Sequence, residues 1–264
     1  MLKVDRQAMI GQILAKKGSV RIPELSRVLS CSVETIRRDL KELDSAGKLS
    51  RTHGGAYLVE RYTKNADKTY NVPLPQEKAR IAKQALRYVR ENDVLMLDSS
   101  TTSLVFAQSL IQSKLSVVLI TNSLLICDLC NEQPSNISLI SVGGQFSRAA
   151  SSFTGYHTTD ALSRYHADKT FISCPRVTLE HGLSDNDLNE AKVREMMMQK
   201  AQQRFLLADH TKFGASANIL FGDLEKVDFL VTDWKLPSVW EDYARRTRLK
   251  IDCCGETERV APVL

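Results

Sequence analysis

The chain has 264 residues, 43% of them hydrophobic and 25% charged. These are globular proportions, too apolar for a disordered chain, and the length leads to an expectation of two domains. The opening Met1-Leu2-Lys3-Val4-Asp5-Arg6 lacks the apolar run of a signal peptide, and no stretch approaches about 18 uncharged apolar residues, so no membrane span is expected. Six cysteines without a secretion signal fit reduced thiols and a cytoplasmic location.

Charge is unevenly divided. Residues 1–70 hold 14 Lys and Arg against 8 Asp and Glu, whereas the remaining residues hold 22 against 23. A basic head meeting a polyanion, joined to a near-neutral larger module, accounts for this asymmetry; a solvated basic face without a partner is the plainer alternative. Within the head, Ile10, Ile13 and Leu14 recur at helical spacing over residues 5–17, and Gly18 ends that helix. Pro23 opens a second short helix carrying Leu25, Val28 and Leu29. Ser30-Cys31-Ser32 makes a tight connection in which Ser32 can cap a third helix over residues 33–46, ended by Gly47.

Three short helices with a three-residue turn before the third form the helix-turn-helix pattern. On the third, Val33, Ile36, Leu40 and Leu43 share one side and are expected inward. Glu34, Arg38 and Lys41 lie opposite, flanked by Thr35, Arg37 and Glu42. Arg and Thr near the start of an exposed helix have the chemistry to read base edges of double-stranded DNA, although a solvated charged face has the same composition. Residues 48–58 read as two short strands around Gly54-Gly55, a wing whose Arg51 and His53 would lie along phosphates. The expected DNA-binding set is therefore Ser32, Glu34, Thr35, Arg37, Arg38, Lys41, Arg51 and His53. Ser32-Val33-Glu34-Thr35-Ile36-Arg37-Arg38-Asp39-Leu40, followed by Arg51-Thr52-His53-Gly54-Gly55-Ala56, resembles the N-terminal signature of the DeoR family of bacterial transcriptional regulators. The resemblance implies a winged helix-turn-helix joined to a sugar-phosphate-sensing domain.

Residues 59–75 are polar and end in Val72-Pro73-Leu74-Pro75, as a linker would. An amphipathic helix is expected over residues 77–90, with Ile81, Ala85, Leu86 and Val89 inward. Apolar runs at 94–97, 117–120, 137–142, 170–173, 205–208 and 229–232 then alternate with helical stretches such as 102–112 and 123–131. That alternation predicts an α/β fold with a parallel or mostly parallel sheet. The expected organisation is a head at 1–58, a linker at 59–75, an effector-binding and oligomerisation domain at 76–254 and a tail at 255–264.

The residues just beyond each run carry the chemistry, because ligands of open α/β sheets bind outside the carboxyl ends of the strands. Asp98, Ser99, Ser100, Thr101 and Thr102 come after the first run, Asn122 and Ser123 after the second, Gly143 and Gly144 after the third, and Asp209 and Lys212 after the fifth. The hydroxyls and free N–H groups of residues 99–102 could cradle a phosphate at a helix start, or merely cap that helix. Lys192, at the start of a further helix, completes the expected effector-binding set. Cys127 and Cys130 form a C-x-x-C with no second pair, which reads as core thiols rather than metal ligands; no metal site and no cofactor are expected.

Asp98 with Thr101-Thr102, then Thr121-Asn122-Ser123, Gly143-Gly144, Gly155, Asn189-Glu190-Ala191-Lys192 and Asp209-His210-Thr211-Lys212-Phe213-Gly214 stand in the order of the DeoR sensor domain, so the resemblance extends over residues 5–252. It implies a fold similar to ribose-5-phosphate isomerases and glucosamine-6-phosphate deaminases, and a phosphorylated sugar or related metabolite as effector. One departure stands out: the family's Asp-x-Gly-Thr-Thr has Ser100 here in place of glycine. The expected function is a ligand-controlled regulator, a repressor, acting as a homo-oligomer on paired half-sites, with no catalytic residues. The alternative is an isomerase- or deaminase-like enzyme carrying a DNA-binding domain, with Asp98, Asp209, Lys192 and Lys212 for acid–base work. A nucleoid-type binder would leave the strand-end residues unexplained.

Overall fold

The computed structural model describes residues 2–17, 19–45, 49–51, 54–57 and 72–255. The chain divides into two compact units, Met1–Thr63 and Lys64–Leu264.

The first unit runs α1 (Lys3–Lys17), β1 (Ser19–Arg21), α2 (Ile22–Val28), α3 (Val33–Ser45), β2 (Ser50–Arg51) and β3 (Gly55–Tyr57). Proline in the first turn of α2 supplies a preset φ where no helical N–H is needed. The Ser32 hydroxyl accepts from the Thr35 N–H at 3.1 Å and so starts α3. Ile10, Leu14, Leu25, Leu29, Ile36, Leu40 and Leu43 form one buried cluster. Val33 departs from expectation and is exposed, because it opens α3 and the packed stripe begins one turn later at Ile36. A charged contact reinforces the packing: Arg6 of α1 donates two hydrogen bonds to the buried Asp39 of α3. The wing is present as an antiparallel sheet in the order β1-β3-β2, with Val20 and Arg51 both opposite Ala56. Its third member, β1, was not legible in a three-residue Ser-Val-Arg segment. His53, residues 59–71 of the expected linker and residues 256–264 of the expected tail lie outside the described residues.

The second unit begins with α4 (Pro75–Leu86), shorter than the expected 77–90 at its far end. There follow β4 (Val94–Leu97), α5 (Thr101–Ser113), β5 (Val117–Thr121), α6 (Leu124–Glu132) and β6 (Ile137–Ser141). A hairpin of β7 (Gln145–Ser147) and β8 (Ser152–Thr154) leads to α7 (Tyr156–Ser163) and β9 (Ala167–Ile172). Next come β10 (Arg176–Thr178), β11 (Gly182–Asp185), α8 (Leu188–Gln199), β12 (Ala201–Ala208), a 3-10 turn at His210–Lys212 and β13 (Ile219–Gly222). A second 3-10 turn, β14 (Phe229–Thr232), α9 (Ser238–Arg246) and β15 (Lys250–Cys253) complete it.

Seven strands form one sheet in the order β15-β14-β12-β9-β4-β5-β6, and every pairing is parallel. Strand side chains alternate between two cores. Leu95, Leu97, Phe171, Phe205 and Leu207 face Ile81, Ala85, Phe106 and Leu110 of α4 and α5, whereas Met96, Ile172 and Leu206 face Leu162, Ala191, Val193, Met197 and Trp240 of α7, α8 and α9. A sheet covered on both faces needs apolar residues at both parities, which is why its strands read as continuous runs. Phe171, Phe205 and Phe229 stack across adjacent strands at 4.5 Å between centroids. The chain leaves β4 toward β5 on one side and returns to β9 on the other. The crevice above β4 and β9 is therefore the switch point at which an open parallel sheet offers a site.

Leu40 is fully buried in the small first unit, and replacing a core Leu by Ala costs about 2–5 kcal/mol, a large share of what a domain under 65 residues can muster. Leu40→Ala should therefore unfold the head and leave the second unit's calorimetric transition in place. A shift of both transitions would show that the units do not fold independently.

Candidate functional site

On the first unit, Glu34, Arg37, Arg38 and Lys41 of α3 are exposed. Glu34 and Arg37 form a loose ion pair at 3.4 Å, and the Ser32 and Thr35 hydroxyls share a hydrogen bond of 2.8 Å. Glu42, on the flank, is drawn away by Lys3 and Gln7 of α1. Arg38 and Lys41 make no ion pair among the described residues. Arg51 sits in β2, paired through Ala56.

In the second unit, the strand-end residues separate into a buried floor and a basic rim. Arg194 of α8 anchors the floor. Its Nε donates to Asp98 Oδ2 at 2.7 Å, its Nη1 to Asp185 Oδ2 at 2.5 Å, and its Nη2 lies 3.6 Å from Glu190 Oε2. Burial pulls this guanidinium's pKa down, but the three carboxylates outweigh it and the net direction is up. Asp98 also accepts from the hydroxyls of Ser100 and Ser103 and, at 3.3 Å, from the Ser173 N–H. It is fully buried, so the first strand-end carboxylate braces the loop from beneath rather than facing outward.

Glu190 extends the brace. It accepts from Ser99 of the β4 loop at 2.8 Å and from Ser152 of β8. Burial raises its pKa, with partial relief from Arg194 and the two hydroxyls. β8 in turn clamps the β5 loop: Phe153 N–H donates to the Asn122 carbonyl at 2.8 Å, and Asn122 Nδ2 donates to the Phe153 carbonyl at 2.9 Å. Ser123 caps α6 through the Ile126 N–H.

The phosphate-cradle residues divide likewise. Ser100 caps α5 by accepting from the Ser103 N–H, at an ordinary φ of −69°, so serine stands without strain where the family has glycine. Thr101 accepts a 2.6 Å hydrogen bond from Lys78 Nζ, a fully buried lysine of α4. Gly144 serves packing: at its φ of +148°, an added Cβ would lie 2.0 Å from Thr158 Oγ1 and 2.7 Å from the Thr154 carbonyl. Thr158 donates to the Gly143 carbonyl at 2.8 Å.

At the β12 end, Asp209 accepts at Oδ1 from the N–H and hydroxyl of Thr211, while Oδ2 is buried with no hydrogen-bond partner. Asn122 Oδ1 is likewise buried and unpartnered. Burial pushes the Asp209 carboxyl up, but Lys212, Lys78 and the Thr211 bonds prevail and hold it below the usual carboxylate range. Arg176 of β10, half-buried and donating to the Thr211 carbonyl, also feels the Asp209 charge. Three cations thus surround one carboxylate.

Lys192 lies on the exposed side of α8, whereas Ala191, Val193, Arg194, Met197 and Met198 turn inward, so the buried cation of this helix is Arg194, two residues on. Sequence reasoning also missed Lys78, Arg176, and the roles of Glu190 and Ser152. Cys127 and Cys130 are half-buried on α6, and no group of three or more potential metal ligands occurs among the described residues.

Removing one partner of a buried ion cluster costs about 3–5 kcal/mol, at roughly 2–4 °C per kcal/mol for a unit of this size. Arg194→Met should therefore lower the second unit's Tm by about 6–20 °C in calorimetry, Arg194→Lys should restore only part, and Lys192→Ala should leave it unchanged. A small shift for Arg194→Met would remove the cluster's structural role.

The DeoR-like helix-turn-helix domain matches residues 6–62, and the DeoR C terminal sensor domain matches residues 74–234. The "Uncharacterized HTH-type transcriptional regulator YulB" of Bacillus subtilis is 36% identical over 88% of this chain and 90% of its own. IolR of Bacillus subtilis, an HTH-type transcriptional regulator, is 30% identical over 95% and 99%, and the L-fucose operon activator of Escherichia coli 31% over 88% and 96%. Among solved structures, ribose 5-phosphate isomerase A from Methanocaldococcus jannaschii aligns at 19% identity and a TM-score of 0.39, over 52% of this chain and 53% of its own length. The eIF2B delta subunit of Chaetomium thermophilum aligns at 9% and 0.42, over 60% and 56%. The aligned parts thus span about half of those neighbours, a likeness of fold only. A helix-turn-helix unit followed by a parallel α/β sensor unit, each matched by its own family description, places this chain in the DeoR family of DNA-binding transcriptional regulators.

Proposed function

We propose that this chain is a repressor whose operator affinity is set by a phosphorylated sugar or related metabolite held at the strand ends, and that it binds this ligand without transforming it. The observation that carries the reading is the pair of buried acceptors without donors, Asn122 Oδ1 and Asp209 Oδ2. Nearly all buried polar atoms of native proteins have a hydrogen-bond partner, and an orphan acceptor calls for a donor. Sugar hydroxyls supply one each. The β5 and β12 ends are three strand spacings apart, about 14 Å, so an elongated polyhydroxy ligand suits them better than a single small ion. Lys78, Lys212 and Arg176 around Asp209 favour an anionic group on that ligand. Thr101, Thr102 and the N-terminus of α5 add hydroxyls and a favourable dipole. Ser99 and Asp98 hold the loop from below, and Gly144 lets α7 approach.

Repression follows if the ligand binds DNA-free and DNA-bound protein unequally, since the coupling between the two sites is reciprocal. A homo-oligomer places two heads on paired half-sites. The exposed Phe146 and Tyr156, on the β7–β8 hairpin and at the start of α7, supply apolar surface for a second copy. On α3, Arg38 and Lys41 read or steer, and Ser32 and Thr35 position the helix start. These roles imply action in the cytoplasm, on chromosomal DNA.

Two measurements test this reading. A ligand at a hundred times its Kd stabilises by about 2.7 kcal/mol, so one member of a panel of sugar phosphates should raise the second unit's Tm by roughly 5–10 °C. Asp209→Asn and Asn122→Leu should each abolish most of that rise while the free protein still folds. A rise that survives both changes would move the ligand elsewhere, and turnover of ribose 5-phosphate or glucosamine 6-phosphate would establish an enzyme instead. On the head, Arg38→Ala should cost about 1–3 kcal/mol of discrimination between bases; unaltered base preference in a mobility-shift competition would displace Arg38 from the reading face.

A further inference from the structure

The second unit carries a basic surface that the effector site does not use. Arg80 and Lys83 of α4 and its C-cap residue Arg87 are exposed at spacings of three and four residues, which puts them on one side of the helix, and exposed Arg90 lies three residues beyond. Arg80, Lys83 and Arg87 line a shallow groove with Gln84 and Cys254. The nearby acids are spoken for: Glu77 lies against Arg80 at 3.8 Å, Asp252 accepts from Gln84 and Tyr88, and Glu91 accepts from the Ser116 N–H. Lys83 and Arg87 make no ion pair among the described residues. This charge is segregated, because residues 71–264 as a whole hold 22 basic against 23 acidic side chains.

We propose that this face of α4 grips the phosphate backbone of duplex DNA, giving the regulator a sequence-independent hold beyond its helix-turn-helix. The spacing fits. From Arg80 to Arg87 the helix rises about 10.5 Å, close to three phosphate steps of one strand at about 3.4 Å each along the duplex axis. Arginine suits this task through its bidentate fork. Position in the chain favours it too, since α4 is the first described helix after the DNA-binding unit.

The test uses the full chain and a 40-base-pair duplex of random sequence, with affinity measured by fluorescence anisotropy between about 50 and 200 mM KCl. Each phosphate contact contributes about 0.9 to the slope of log affinity against log salt. In R80A/K83A/R87A the loss of affinity over that range should shrink by about 40-fold relative to wild type, as three lost contacts require. R80K/R87K should keep most of the slope. Sedimentation velocity should show the same oligomeric state for variant and wild type. A wild-type slope in the triple variant overturns the proposal while leaving the head's role intact, whereas failure of the wild type to bind any duplex would sink both. A fall in sedimentation coefficient in the triple variant would assign the face to a second copy of the chain and equally overturn it.

Discussion

Arg194 and its three carboxylates constrain everything around the strand ends. Asp98 closes β4, Asp185 closes β11 and Glu190 sits one turn earlier on α8, so a single guanidinium joins the sheet, the small β10–β11–β13 layer and a helix. A buried charge set of this kind tolerates little displacement, because each partner moved out of reach leaves another unpaired at low dielectric. Through Ser99 and Ser152 the same cluster reaches the β4 loop and the hairpin that clamps Asn122. The loops that would meet a ligand are thus held from below.

Such a floor separates two electrostatic environments. Beneath the loops, three acids share one arginine, and Glu190 is pushed toward neutrality. At the β12 end the balance reverses, with Lys78, Lys212 and Arg176 around the single ionised Asp209. The surplus of positive charge at the β12 end thus lies beside the unsatisfied Asp209 oxygen, while the surplus of negative charge beneath the loops is locked into structure. Preorganisation of this sort leaves little rearrangement to be made on binding.

Much of this was legible in the sequence. Continuous apolar runs gave away strands buried on both faces, and the 94–97 run coincides with β4 to the residue. The residues beyond those runs do gather at one end of the sheet, because a parallel sheet has all its carboxyl ends there. The features that stayed hidden did so for physical reasons. Lys192 and Arg194 are both cations on a helix whose apolar residues nearly encircle it, so periodicity alone could not say which points inward. Lys78 lies on α4, outside any motif, and only tertiary packing brings it to Thr101. The hairpin strands β7 and β8 are three residues long and mixed in polarity, too short for alternation to show. Val33 carried the right residue type at a helical position that simply precedes the packed stripe.

A regulator of this kind stands or falls on whether its two sites speak to each other. Linkage demands that the factor by which DNA changes ligand affinity equal the factor by which ligand changes DNA affinity, typically about 5- to 150-fold. The direct measurement is isothermal titration of the stabilising sugar phosphate into the free chain and into the chain saturated with a duplex selected by the protein itself, beside titration of that duplex with and without the sugar phosphate. The account predicts weaker ligand binding to the DNA complex, by the same factor in both directions. Identical ligand affinity with and without DNA would contradict it, leaving a head and a sensor that share a chain but no control.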